Sequence, residues 1–259
     1  MYIEALISTL VGDLAQVPGV AALVLGGSRA RGTPVDILYR DLDAIAAVAR
    51  AGVAGRPRIA YQPGHPHGFI TAIYLAEIAL CRPLWDPEGV VADLKRLADP
   101  YPAPLQAALI RQFSWEAAFA LRTATKAVGR ADVSYVAVAG RLFRSVSYLM
   151  QALFALTAWY WMNEKGAVAI ADAFPLAPLR LAARVDEAFG RLAPSPDALT
   201  QPSTGWTTSS PRPTCCSPWS ASRRRVYDGT GGADSCTTAT VTVRGAATPH
   251  PSRGRTYFP

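Results

Sequence analysis

The run Val20-Ala21-Ala22-Leu23-Val24-Leu25 breaks at Gly26-Gly27-Ser28 and is followed at once by Arg29 and Arg31. Glycines carry no Cβ, so an anion can approach their N–H groups closely, and the serine hydroxyl adds another donor. Two guanidiniums within reach of the turn can neutralise phosphate charge. These residues can hold a polyphosphate, although Gly-Gly-Ser also makes ordinary turns. Three carboxylates follow, at Asp36, Asp41 and Asp43. Asp41 opens an Ala-rich helical pattern, where it serves as an N-cap with Asp43 in the first turn. His65-Pro66-His67 offers two imidazoles without a third ligand, a spacing more usual in an ordered loop than at a metal.

The segment Leu25-Gly26-Gly27-Ser28-Arg29-Ala30-Arg31-Gly32 resembles the Gly-Ser motif of the DNA polymerase beta-like nucleotidyltransferases, particularly the bacterial aminoglycoside and minimal types. Leu84-Trp85-Asp86-Pro87-Glu88-Gly89 is similar to the stretch these proteins place before their C-terminal helices. The later helices, with Asn163-Glu164-Lys165-Gly166, resemble the helical domain that often follows, so the likeness covers about residues 1–195.

The resemblance implies transfer of a nucleoside monophosphate from a nucleotide triphosphate to a small hydroxylated acceptor. Two Mg²⁺ ions would be held by an Asp-x-Asp pair and a third carboxylate. It assigns Gly26, Gly27, Ser28, Arg29 and Arg31 to the nucleotide, and Asp36, Asp41 and Asp43 to metal. Asp36 would support metal or activate the acceptor. Asp41-Leu42-Asp43 matches the pair in spacing but falls at a helix start. A second alignment makes Val35-Asp36-Ile37-Leu38-Tyr39-Arg40-Asp41 the third-carboxylate strand. The Asp-x-Asp strand is then missing between Thr33 and Pro34, and the chain is inert or nearly so. Glu77 and Glu116 are further candidates for the base that deprotonates the acceptor, and Lys126 and Lys165 for contacts to triphosphate, although a half-buried, paired glutamate and a lysine serving a helix dipole are the ordinary roles of such residues. The competing expectation is a non-catalytic pseudo-enzyme or a helical partner-binding module.

Elements that would position these residues are legible in the pattern. Helical spacing covers residues 2–16 and 41–51, residues 70–80 form an apolar helix or helix–strand unit, and Asp86-Pro87-Glu88 starts another helix. Long helical patterns span 105–128 and 133–162, and shorter ones lie near 167–173 and 179–192. Val20 to Leu25 and Val35 to Tyr39 read as strands. Trp159-Tyr160-Trp161, Tyr148 and Phe154 are expected to pack the helical core. Val146 to Met162 is uncharged, but Ser147, Gln151 and Thr157 interrupt it, so a bundle helix fits better than a bilayer span.

The expected architecture is α+β: a small mixed β-sheet nucleotidyltransferase-like domain at 1–98, possessing fewer strands than its relatives, a helical bundle at 99–195, and a disordered tail at 196–259. The chain has 259 residues and net charge +7. Seven Arg and two Asp after residue 200 account for most of that charge, so the body is nearly neutral and nucleic-acid binding is not expected. The tail's turn to Ser, Thr, Pro and Arg fits either out-of-frame translation or a low-complexity segment. With Glu4 and no Lys or Arg in residues 1–11, no export signal is read, and a cytoplasmic location is expected. The acceptor, the preferred nucleotide and the oligomeric state are not legible.

Overall fold

The computed structural model describes residues 2–26, 35–60, 68–128, 130, 134–192 and 237–243. Within them the chain is α+β. The helix α1 (Tyr2–Leu14) leads into β1 (Val20–Gly26), and β2 (Val35–Asp41) runs directly into α2 (Leu42–Val53). The short strands β3 (Ile59–Ala60) and β4 (Phe69–Ile70) pair antiparallel. Then come α3 (Ala72–Leu80), β5 (Arg82–Trp85), α4 (Val90–Ala98), α5 (Ala103–Ala127), α6 (Tyr135–Leu156), α7 (Ala167–Asp172) and α8 (Leu181–Gly190). A last strand, β6 (Thr237–Val243), lies far along the chain.

The main sheet is mixed, in the order β2-β6-β1-β5. β1 pairs antiparallel with β5 and β6, whereas β2 runs parallel to β6. Residues Ala21 to Leu25 of β1 are all buried, as a continuous apolar run requires when both faces of a strand are covered. On the sheet's edge, β5 tolerates Pro83, which has no N–H to donate.

β6 departs from the expected disordered tail. Thr237-Thr238-Ala239-Thr240-Val241-Thr242-Val243 is built almost wholly of β-branched residues, whose side chains suit a pleated surface. The strand also gives β2 its only partner in the sheet, among the described residues. An unpaired edge on β1 would leave a row of orphaned backbone groups, and β6 satisfies it.

One apolar cluster gathers Ala21 of β1, Leu42, Ile45 and Ala49 of α2, Ile70 and Leu75, Leu105, Leu109 and Phe113 of α5, and Tyr148 and Ala152 of α6. It draws on residues from both sides of position 98. A second cluster joins α6 to α7 and α8 through Met150, Phe154, Trp161, Phe174, Leu181 and Val185. Helices α5 and α6 lie antiparallel: Gln106 Nε2 donates to Ala155 O at 2.8 Å, and buried Ser145 Oγ donates to Ala117 O at 2.9 Å. Among the described residues, no helix is long and apolar enough to cross a membrane.

Two details of the chain path follow from backbone chemistry. Gly55, just past α2, has φ +71°, and a Cβ there would lie 2.7 Å from Pro104 O, so only glycine fits. Helix α6 ends earlier than its apolar pattern, at Leu156. Thr157 Oγ1 donates back to Leu153 O, Ala158 turns left-handed at φ 54°, and Trp159 N donates to Phe154 O. This is a six-to-one closure of the helix end, with alanine in the place glycine usually takes.

Candidate functional site

The junction of β2 and α2 fixes the first carboxylate. Asp41 is the last residue of β2 and the N-cap of α2, with extended backbone angles, and its Oδ1 accepts the Ala44 N–H at 2.7 Å. The first N–H groups of a helix have no intrahelical acceptor, and a side-chain oxygen here supplies one. Asp43 follows in the first turn, exposed, where the positive end of the helix dipole favours a carboxylate. One of the pair ends a strand and the other sits on a helix, so the two-residue period of a strand does not carry across them.

The other predicted positions fall as follows. Asp36 stands on β2 opposite Thr238 of β6. Gly26 ends β1 and is also opposite Thr238, on the other side of β6. With neighbouring strands ~4.8 Å apart, β6 therefore holds the Gly26 and Asp36 backbones about 10 Å from each other. Gly27, Ser28, Arg29 and Arg31 lie outside the described residues, as do His65 and His67. Glu116, Lys126 and Lys165 stand apart on α5 and in the turn before α7.

Mg²⁺ on Asp36, Asp41 and Asp43 is what the resemblance implies. One oxygen of the Asp41 carboxylate, Oδ1, accepts a backbone N–H at the helix start, and Asp43 belongs to a different element from Asp41's strand. Asp41 and Asp43 are thus not arranged as two carboxylates on one strand face. No group of three or more His, Cys, Asp or Glu gathers as metal ligands among the described residues.

The structure does bring one charged cluster together beside Asp41. Arg40 of β2 reaches Glu77 of α3, with Nη2 3.7 Å from Oε1, and its guanidinium lies 5.6 Å from the centre of the Tyr74 ring. Tyr74 and Glu77 are three apart on α3 and so share a face. Burial raises the Glu77 carboxyl above the ordinary glutamate value, and the Arg40 charge and hydrogen bond pull it partly back. The Glu77 side chain is 34% exposed, so solvent moderates both effects. Burial likewise raises the Tyr74 hydroxyl, against the attraction of Arg40. Arg40 Nε is buried without a hydrogen-bond partner, a donor that an anionic group could satisfy. The sequence signal for this cluster is slight: a charged residue inside a strand, and a tyrosine and glutamate at i and i+3 on a helix otherwise apolar.

Asp86 performs the capping expected of it, one turn later than the pattern suggested. Its oxygens accept from Val91 N and Ala92 N at 3.1–3.2 Å, but Pro87 and Glu88 form a turn and Gly89, at φ 69°, is the N-cap residue. Trp161 is buried as expected of a core aromatic, while Trp159 and Tyr160 are half-buried. The Tyr160 hydroxyl donates to Ala98 O at 2.7 Å.

Compared with protein families, curated proteins and solved structures, the chain matches none.

Proposed function

We propose that this chain is a nucleotidyltransferase-like protein that does not transfer: it takes a nucleotide triphosphate at the residues from Gly26 to Arg31 without holding the ions the reaction needs. The motif from Leu25 to Gly32 supports the nucleotide half of this reading. The observation that carries the inert half is the Asp41 carboxylate, which accepts the Ala44 N–H at the start of α2. Two divalent ions supply transition-state stabilisation that backbone donors do not replace. The register of β6 supports the same reading, since it separates the backbones of Gly26 and Asp36 by a whole strand.

The test is paired. Binding of each of the four nucleoside triphosphates is measured by calorimetry, and Mg²⁺-dependent incorporation of labelled nucleotide is followed with hydroxylated acceptors, aminoglycosides included. Binding without incorporation is expected. Incorporation that is lost in Asp41→Asn and Asp43→Asn would restore the active reading, with Asp36, Asp41 and Asp43 as ligands of Mg²⁺.

A further inference from the structure

Helix α5 shows α6 and the core a face made of Leu105, Leu109, Phe113, Ala117, Ala120 and Ala124, all buried. Its outer face has a different composition. Arg111, Trp115, Phe119, Arg122 and Lys126 are all exposed, the two aromatics at 57% and 46%. At 100° per residue these five positions fall within an arc of about 80° and run about 22 Å along the axis. The Trp115 and Phe119 rings stack, with centres 5.1 Å apart and planes 10° from parallel. Glu116 is the helix's single acid and lies outside the arc, and no carboxylate among the described residues pairs with the three cations.

Single exposed rings are ordinary on a protein surface, whereas a contiguous exposed patch of two stacked rings marks an interaction site. Their neighbours decide what it binds. A stripe with cations at both ends and no acid is complementary to a linear polyanion, and flat rings between the cations suit flat partners. We infer that the outer stripe of α5 binds single-stranded nucleic acid, with bases stacking on Trp115 and Phe119 and backbone phosphates meeting Arg111, Arg122 and Lys126. The stripe is a convex ridge carrying no exposed aliphatic side chain, which favours a base over an amphipathic helix, whose apolar face needs a groove. The net charge of the chain gives no such indication, because most of it lies after residue 200. What counts is the clustering of basic groups on one folded face.

Fluorescence anisotropy of a labelled 20-nucleotide single strand of mixed sequence, titrated with the full chain, tests this. Its duplex and polyglutamate serve as competitors. Trp115→Ala with Phe119→Ala should weaken single-strand binding about tenfold or more, and Trp115→Tyr with Phe119→Tyr should largely restore it. Arg111→Ala with Arg122→Ala should reduce the slope of log affinity against log salt by about 1.4. A chain with Arg223, Arg224 and Arg225 changed to Ala should keep the dependence on Trp115 and Phe119, which separates the stripe from the basic run near the C-terminus. Binding indifferent to Trp115 and Phe119, or no binding at low salt, would overturn the inference. Polyglutamate competing as well as the single strand would also do so, and would point to an acidic protein partner.

Discussion

Asp41 Oδ1 lies 2.7 Å from the Ala44 backbone nitrogen, and this hydrogen bond assigns the carboxylate to the helix it starts. Asparagine can make the same bond and alanine cannot. Asp41→Asn is therefore expected to keep most of the stability, losing only the favourable placement of a charge at the helix start. Asp41→Ala should cost about 1 kcal/mol. Urea denaturation of the two variants checks the ordering, and nucleotide binding should be the same in both. Equal losses of stability would remove the capping role.

The pH dependence of stability reports on Glu77. Its carboxyl is raised chiefly by burial, so between the ordinary glutamate value and the higher folded one the native state holds more proton than the unfolded chain. Stability from this group is full below about 4.5, the ordinary value, and is lost as pH rises through the folded value. The stability of wild type relative to Glu77→Gln should thus fall as pH is raised from 4.5 towards neutrality. Arg40→Met removes the opposing charge and should extend the fall to higher pH. Chemical denaturation at a series of pH values measures it, and a wild-type advantage that grows with pH would show the ion pair outweighing burial.

Lys95 of α4 closes the C-terminal end of α3. Its Nζ donates to the carbonyls of Ile78, Ala79 and Cys81 at 2.8–2.9 Å, acceptors that a helix end leaves without internal partners. Lys95→Met should cost roughly 1–3 kcal/mol, since charged donors to several acceptors are lost at once. The same substitution bears on Cys81. Burial raises its thiol and the Lys95 charge lowers it, so the thiol should alkylate slowly near neutral pH in the folded wild type. Peptide mapping after timed iodoacetamide treatment follows Cys81 separately from the cysteines near the C-terminus.

β6 accepts and donates on both sides, between β1 and β2. Thr240 stands opposite Val24 and Leu38 in the two ladders. Thr240→Pro removes one ladder N–H and should lower the melting temperature by several degrees, a loss of about 1–3 kcal/mol, whereas Thr240→Val should be nearly neutral. Thermal melts followed by circular dichroism decide it. A proline variant as stable as wild type would place the strand outside the sheet in solution.

Much of this arrangement was legible in the sequence for physical reasons. The unbroken apolar run of β1 needs cover on both faces, and it has it. The long helix α5 follows its apolar spacing, α6 follows it as far as Leu156, and Asp41 caps where a short acceptor precedes a helical pattern, whereas Asp86 accepts from Val91 and Ala92 ahead of the helix that Gly89 caps. Other features depend on partners remote in sequence. Seven β-branched-rich residues were hidden by the polar average of their surroundings, and only pairing with β1 and β2 reveals Thr237–Val243 as a strand. The short strand Arg82–Trp85 contains a proline and is tolerated because it stands at an edge. Arg40 and Glu77 are brought together by the packing of α3 beside β2, which no local pattern encodes. The outer stripe of α5 needed the helix's buried face to be known before its exposed one could be recognised.

Asp41 starts a helix, and we propose that it holds no catalytic ion. Mg²⁺-dependent incorporation from labelled nucleoside triphosphates, compared between wild type and Asp41→Asn, tests it most directly. No incorporation above a protein-free control is expected in either, with nucleotide binding unchanged by the substitution. Incorporation by the wild type that disappears in Asp41→Asn would contradict it.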